Sequence, residues 1–432
     1  MEVNLEKIKS VYFIGIGGIG VSAVARLMSI YGKKVAGSDS SPSLVTEQLS
    51  KLGIKIYKGH DEKNIPKDTD LLVHTIAVQK NNQEMLEAKR RKIQTITYPE
   101  MLSIISKNTE TIAVSGTNGK TTTTAMLAKV MMDAKLDPTV IVGSLMKDSD
   151  SNLTVGKSKY FLVEACEYRR SFLNLYPKIL VITNIDLDHL DYYKDIKDIQ
   201  SAFRTLALRV PVNGAIICNT SDAKLRPVIK GLKCKIIDYG QYKKPELKLK
   251  SPGEHNRQNA AAVSAAAEFL GMKKKTTNKS LERFSGTWRR FDLKGKTKNG
   301  TLIYDDYAHN PQKIKSTLSG LKEKYPSKRR VVFFQPHLFS RTKLLLKEFS
   351  SAFNDGDIVY ILPIFAAREK LDRTINSSML VSKIIKQGIP SQLLESPDRV
   401  LAEIRKLNQH SVVMMMGAGD IYKLSELILK KC

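Results

Sequence analysis

Lys120 and Thr121 close a glycine turn in the stretch IAVSGTNGKTTTT, residues 112–124. A short apolar β run leads into the turn, and four hydroxyl residues open a helix after it. Backbone N–H groups of such a turn, with the positive end of the following helix, surround phosphate oxygens without side-chain interference. Lys120 would then reach the terminal phosphates, and Thr121 would offer its hydroxyl to a magnesium ion. The spacing departs from the common G-x-x-x-x-G-K-[ST] pattern, because Val114 holds the first glycine position and Gly116 follows two residues later. Against phosphate binding stands a tight strand-to-helix turn that exposes a lysine.

Carboxylates and imidazoles recur at the ends of other β runs. Glu164 ends one, while Asp186, Asp188, His189 and Asp191 follow another after Thr183 and Asn184. Strand ends of a parallel sheet share one edge with the phosphate loop, where such groups can hold magnesium between a nucleotide and a second substrate. Any one of these acids alone would read as a solvated helix cap; clustered beside a phosphate loop, they read as ligands. His189, His255, His309 and His337 sit in the polar turns DLDHLD, GEHNRQN, DYAHNP and QPHLFSRT, whereas His74 between Val73 and Thr75 reads as structural. Arg289 and Arg290 follow the single Trp288 and either clamp phosphates or form a surface pair.

The elements that must position these groups alternate β and α. Residues 11–20, VYFIGIGGIG, form a β run whose glycines lead into a helix over 21–31, and KVAGSD at 34–39 is a second strand closing on an acid. Gly15, Gly17 and Gly20 in this strand-turn-helix context suit a diphosphate-linked nucleoside, with Asp39 either reaching a ribose or acting as a turn residue. Strands at 54–57, 71–75 and 94–97 complete a first α/β unit. A second begins at the central loop, with strands at 160–165, 179–184, 214–219 and 234–239 and an alanine-rich helix at 256–270. From Phe291 a third alternation follows, with strands near 301–306, 330–335, 357–362 and 411–416.

At 432 residues the chain calls for two or three domains. No apolar run is long enough for a membrane span, and residues 1–10 carry charge where a signal peptide needs an apolar stretch, so a soluble protein is expected. Cys166, Cys218, Cys234 and Cys432 form no C-x-x-C pair, which speaks against a zinc site or disulfide framework and fits a reducing cytoplasm. The formal charge of +27 is spread along the chain with no interleaved aromatics, a pattern that argues for an anionic substrate and against nucleic acid.

Taken in order, GIGGIG, GSD, SGTNGKTTT, VEA, TNIDLDHLD, PGEHNRQN, FSGTWRRF, YDDYAHNP, FQPHLFSRT, AREK and MGAGD resemble the Mur ligases, ATP-dependent amide-forming enzymes of peptidoglycan precursor synthesis, over nearly the whole chain. The resemblance implies three α/β domains: a Rossmann-like one at 1–107 for the UDP sugar, a central P-loop ATPase-like one at 108–290, and a C-terminal Rossmann-like one at 291–432 for the amino acid. It places UDP on Gly15, Gly17, Gly18, Gly20 and Asp39. It places ATP on Gly116, Thr117, Asn118, Gly119, Lys120, Thr121 and Thr122, with Asn256 and Asn259 at the adenine and Arg290 and Asp306 at the ribose or phosphates. Thr121 would hold one Mg2+ and Glu164 with His189 a second, and His309 and Arg341 would orient the amino acid.

Within the family the match is best to members that join L-alanine to UDP-N-acetylmuramate, which implies these two small molecules as substrates, no nucleic acid or membrane partner, and a monomer or homodimer. Asn118, Asn310 and Leu338 depart from the two histidines and the arginine usual in those members, so glycine or serine stays open as the amino acid. Rival readings are a ligase adding a preformed peptide or another amino acid, a nicotinamide-dependent oxidoreductase, and a non-catalytic sugar-nucleotide sensor. The oxidoreductase leaves GTNGKTTT unexplained, and Lys120, Glu164 and His189 argue against the sensor.

Overall fold

The computed structural model describes residues 3–189, 192–367 and 369–432; Asp191, and Arg368 of the AREK segment, lie outside them. Three sheets succeed one another along the chain. The first contains β1 (Ser10–Ile14), β2 (Lys34–Asp39), β3 (Lys55–Lys58), β4 (Leu71–His74) and β5 (Gln94–Thr97), all parallel in the order β3-β2-β1-β4-β5. The order reverses between β1 and β4, and the glycine turn after β1 opens into that crevice, the place where parallel α/β sheets receive ligands.

The second sheet contains β6 (Glu110–Ser115), β7 (Thr139–Met146), β8 (Ser151–Thr154), β9 (Tyr160–Glu164), β10 (Ile179–Ile182), β11 (Ala215–Cys218) and β12 (Lys235–Asp238). Its order is β12-β11-β10-β6-β9-β7-β8, antiparallel only between β7 and β8. β6 therefore lies between β9 and β10, so the loop leaving it is flanked by the carboxyl ends of both. The third sheet contains β13 (Asp292–Lys296), β14 (Leu302–Asp306), β15 (Arg329–Phe334), β16 (Ile358–Ile361), β17 (Ser391–Leu393) and β18 (Ser411–Met416), ordered β13-β14-β18-β15-β16-β17 with β13 antiparallel to β14.

Strands covered by helices on both faces carry near-continuous apolar runs. SVYFI in β1, ILVI in β10 and SVVMMM in β18 are buried at every position. Register then fixes which residues emerge at the carboxyl edge: Glu164 from β9, Thr183 after β10 and Asp306 from β14.

The chain divides into two compact units, Met1–Lys244 with Gln258–Leu281, and Pro245–Arg257 with Glu282–Cys432. The first two sheets share the former: the β7–β8 hairpin reaches the helix Ile19–Ile30, where Asn152 Nδ2 donates to Ser22 Oγ at 2.9 Å and to the Ile19 carbonyl. The helix Glu254–Phe269, found where an alanine-rich helix is expected, begins in one unit and ends in the other. Among the described residues no helix is long and apolar enough to cross a membrane.

Candidate active site

The loop after β6 is held by the segment after β10. Thr117 N donates to the Asn184 carbonyl (3.0 Å), Asn118 N to Asn184 Oδ1 (3.0 Å), and Asn184 Nδ2 returns a bond to the Asn118 carbonyl (3.0 Å). Thr117 Oγ1 accepts from Asp186 N at 2.8 Å and donates to the Asp186 carbonyl at 3.1 Å. Two glycines make the path possible, with φ of +131° at Gly116 and +87° at Gly119, conformations that side-chain-bearing residues rarely adopt. A Cβ on Gly119 would collide with Asn259 Oδ1, so Asn259 packs directly on the turn. Gly119 caps the helix Lys120–Asp133, whose first-turn N–H groups have no intrahelical acceptors. Thr122, in that first turn, is half-buried.

Lys120 folds back over the loop. Its Nζ donates to the carbonyls of Gly116 and Thr117, the latter at 3.1 Å, and stands 2.9 Å and 2.8 Å from the two carboxylate oxygens of Glu167. Burial alone would lower the lysine pKa, but the carboxylates of Glu167 and Glu164 and the nearby Cys166 outweigh it and hold the ammonium above its ordinary value. Thr121 Oγ1 donates to Glu164 Oε1 at 3.0 Å, and Gly143 N donates to Glu164 Oε2 at 2.7 Å. His189, at φ +54°, puts Nε2 3.7 Å from Glu167 Oε1 and its ring centroid 4.8 Å from that of Tyr168. Asp186 pairs with Lys224 at 2.9 Å, and Asp188 caps the backbone N–H of His189 at 2.8 Å.

In the first sheet the glycine turn closes on β2: Gly15 N and Ile16 N donate to the Ser38 carbonyl, and Gly17 N donates to Asp39 Oδ2 at 2.9 Å. Asp39 also accepts from Ser41 N at 3.3 Å, which ties it to the turn at the mouth of the loop. A Cβ on Gly17 would meet Asp39 Oδ2 at 2.8 Å, and one on Gly20 would enter the Tyr98 ring. Gly18 N bonds the Gly15 carbonyl at 3.1 Å and completes the turn. His74 contacts the carbonyl of Thr75 through Nδ1 at 2.9 Å, in keeping with a structural role.

The C-terminal unit gathers a second set. His309 Nδ1 stands 2.8 Å from the Tyr307 carbonyl, which can only accept, so Nδ1 carries the proton. Its ring lies 6.3 Å from that of His337, and Arg341 Nη1 donates to His337 Nδ1 at 3.3 Å. Leu338, between these residues, is 7 % exposed and held at φ +71°, a strained posture for a branched side chain. Arg290 lies over the Tyr307 ring at 4.9 Å. Asp306 accepts from Phe291 N (2.7 Å), Ala308 N (2.8 Å) and Thr317 Oγ1 (3.4 Å). Asn256 donates to the Pro252 carbonyl at 2.8 Å, and burial lowers the pKa of neighbouring His255.

Arg289 corrects the expectation of a phosphate clamp or surface pair. It is 4 % exposed, pairs through Nε with Asp305 at 3.2 Å, and donates to the carbonyls of Gly417 and Gly419. Tyr307 and Tyr422 flank its guanidinium at 5.3 Å and 4.9 Å. It ties the end of β14 to the MGAGD loop. Glu167, conversely, carries no signal in the sequence reading, although it lies three residues after Glu164 in VEACEY and meets both Lys120 and His189.

Two glycine loops at the carboxyl edges of parallel strands, one armed with a lysine and a hydroxyl on a carboxylate, define a nucleotide-binding α/β protein of the phosphate-loop class. Residues 10–109 match the Mur ligase family catalytic domain, 114–247 the Mur ligase middle domain, and 289–419 the Mur ligase glutamate ligase domain. The chain is 41 % identical to UDP-N-acetylmuramate L-alanine ligase of Clostridium kluyveri, with all of both chains covered, and 40 % identical to that of Clostridium tetani, with 99 % of each covered. Among solved structures it is similar to UDP-N-acetylmuramate-alanine ligase from Thermotoga maritima, at TM-score 0.84 and 28 % identity over 98 % of each chain. The fold is shared with a murein peptide ligase from Psychrobacter arcticus at TM-score 0.72 and 22 % identity, covering 98 % of each chain. The chain belongs to the Mur ligase family, and as such is an ATP-dependent ligase.

Proposed function

We propose that the chain joins L-alanine to the lactyl carboxylate of UDP-N-acetylmuramate, converting ATP to ADP and phosphate in peptidoglycan precursor synthesis. The observation that carries this reading is the loop Gly116–Thr121, where Lys120 and the Thr121–Glu164 pair stand side by side at the carboxyl edge of β6 and β9. The lactyl carboxylate attacks the γ-phosphorus, ADP leaves, and an acyl phosphate results. The amine of alanine then adds to the activated carbonyl, and collapse of the tetrahedral intermediate expels phosphate and leaves the amide. Lys120 lies where it can meet the negative charge on the transferring group, and the loop N–H groups orient the phosphates.

The hydroxyl of Thr121 suits one hard cation, and Glu164 with His189 a second; among the described residues no group of three or more His, Cys, Asp or Glu is placed to hold a metal alone. That set fits Mg2+, which commonly takes few protein ligands and completes its shell with phosphate oxygens and water. When bound it would neutralise charge on the phosphates.

Asn259 on the loop supports an adenine or phosphate contact, and the glycine turn with Gly15, Gly17, Gly18, Gly20 and Asp39 would seat the uridine diphosphate. His309 and Arg341 would orient alanine, and Arg290 and Asp306 the ATP. We place the domain boundaries at 107/108 and 290/291, and read the protein as a cytoplasmic monomer or homodimer. Asn118, Asn310 and Leu338 keep glycine and serine as competing amino acids. The test is the product mass after incubation with ATP, Mg2+, UDP-N-acetylmuramate and each amino acid. Gain of one alanine residue is expected, and an unchanged sugar nucleotide would overturn the reading.

A further inference from the structure

We propose that Glu167 is the positioning residue for Lys120: its carboxylate holds the ammonium in the loop and is displaced from it when a nucleoside triphosphate binds. The inference rests on the ligase reading of the loop and adds a residue to it.

An ammonium has three N–H donors. In this structure the carbonyls of Gly116 and Thr117 and the Glu167 carboxylate account for all three. A phosphate oxygen can therefore take Lys120 only by displacing one of them. The two carbonyls belong to the loop that wraps the phosphates, whereas Glu167 is the partner of like charge, which an incoming triphosphate repels. Glu167 is the one that yields.

Glu167 is also built to stay in place after the exchange. It is 3 % exposed, and its backbone carbonyl accepts from Tyr193 Oη at 2.6 Å. Its Oε1 stands 3.7 Å from His189 Nε2. Relieved of the lysine, the carboxylate remains beside the imidazole and holds that ring. One side chain thus restrains Lys120 before nucleotide binding and orients His189 after it.

The test uses the full-length protein and its Glu167→Gln and Glu167→Asp variants. Affinity for the magnesium complex of a non-hydrolysable ATP analogue is measured by calorimetry, and kcat by phosphate release with ATP, UDP-N-acetylmuramate and L-alanine. Glu167→Gln removes the competing charge, so the analogue should bind about 5- to 10-fold more tightly while kcat falls at least about tenfold. A structural role alone would not tighten nucleotide binding. Glu167→Asp keeps the charge and should bind the analogue as the wild type does, recovering part of kcat; it decides the matter if Glu167→Gln melts early. Unchanged or weaker analogue binding in Glu167→Gln, or the same affinity change in both variants, overturns the proposal. Lack of phosphate release by the wild type would remove the ligase reading, and the analogue comparison would still decide the exchange.

Discussion

Replacing Gly116 with alanine should disable nucleotide binding, and the structure sets the scale. Gly116 lies at φ +131°, and forcing an L residue into that half of the map costs about 1–2 kcal/mol. The added Cβ would collide with Thr183 Oγ1 and lie 2.9 Å and 3.0 Å from the carbonyl oxygen and nitrogen of Asn184. Thr183 cannot swing clear without losing its bonds to the carbonyls of Ser115 and Asn118, and the Asn184 atoms are backbone. Overpacking of this kind adds about 1–3 kcal/mol, for a total of about 2–5 kcal/mol against the loop. At about 1.4 kcal/mol per decade, the affinity for an ATP analogue should fall by roughly 30-fold to a few thousand-fold. Gly32→Ala is the control: φ is +76° and no atom lies within 4 Å of the new Cβ, so it carries backbone strain alone and leaves nucleotide affinity unchanged. Calorimetric titration of both variants decides. A Gly116→Ala protein within about threefold of the wild type would show that the loop accepts a side chain there, and an equal loss in Gly32→Ala would show that the effect is not specific to the loop.

Three further outcomes are expected. His309→Ala should raise the apparent KM for the amino acid about tenfold or more and that for ATP far less, measured by initial-rate kinetics; an effect confined to ATP would move His309 to the nucleotide. Thr121→Val removes the hydroxyl on Glu164 and should raise the Mg2+ concentration for half-maximal rate by about tenfold, while a plain loss of kcat with an unshifted Mg2+ curve would contradict its ligand role. Burial pushes the Asp305 carboxyl up to about 7, with Arg289 opposing. Since the folded pKa exceeds the unfolded value of about 4, Asp305 contributes stability below about pH 4 that is lost as pH rises through about 7. Asp305→Asn should flatten that fall, read from the fluorescence of the single Trp288 during urea unfolding; an unchanged slope between pH 4 and 7 would count against it.

Most of the parallel strands were legible because each is a short apolar run between turns: β2, β5 and β18 have the expected bounds, and the other expected strands agree within a residue or two. β7, TVIVGSLM, was passed over despite its apolar run, while SNLT of β8, DLKGK of β13 and SQL of β17 carry no apolar run and owe their place to their partner strands. The spacing GTNGKT made the glycine turn after β6 legible because its glycines act through local backbone geometry. Arg289 was misread because its partner Asp305 lies opposite Asp292 in the β13–β14 register, which no local pattern encodes. Glu167 was missed for a related reason: its meeting with Lys120 joins the ends of two adjacent strands, and only the pairing of β6 with β9 brings them together. Asp39 shows a third case, where both readings of one residue fit the sequence: the bond from Gly17 N gives it a turn role at the loop it is expected to share with the ligand.

ATP turnover should require the sugar nucleotide and its amino-acid acceptor. The most direct measurement is phosphate release from ATP and Mg2+ with UDP-N-acetylmuramate, comparing L-alanine, glycine, serine, glutamate and the L-Ala-γ-D-Glu-diamino-acid tripeptide. Release that depends on the sugar nucleotide and is fastest with L-alanine is expected. Release that is fastest with glutamate or the tripeptide, or no release with any acceptor, would contradict that expectation.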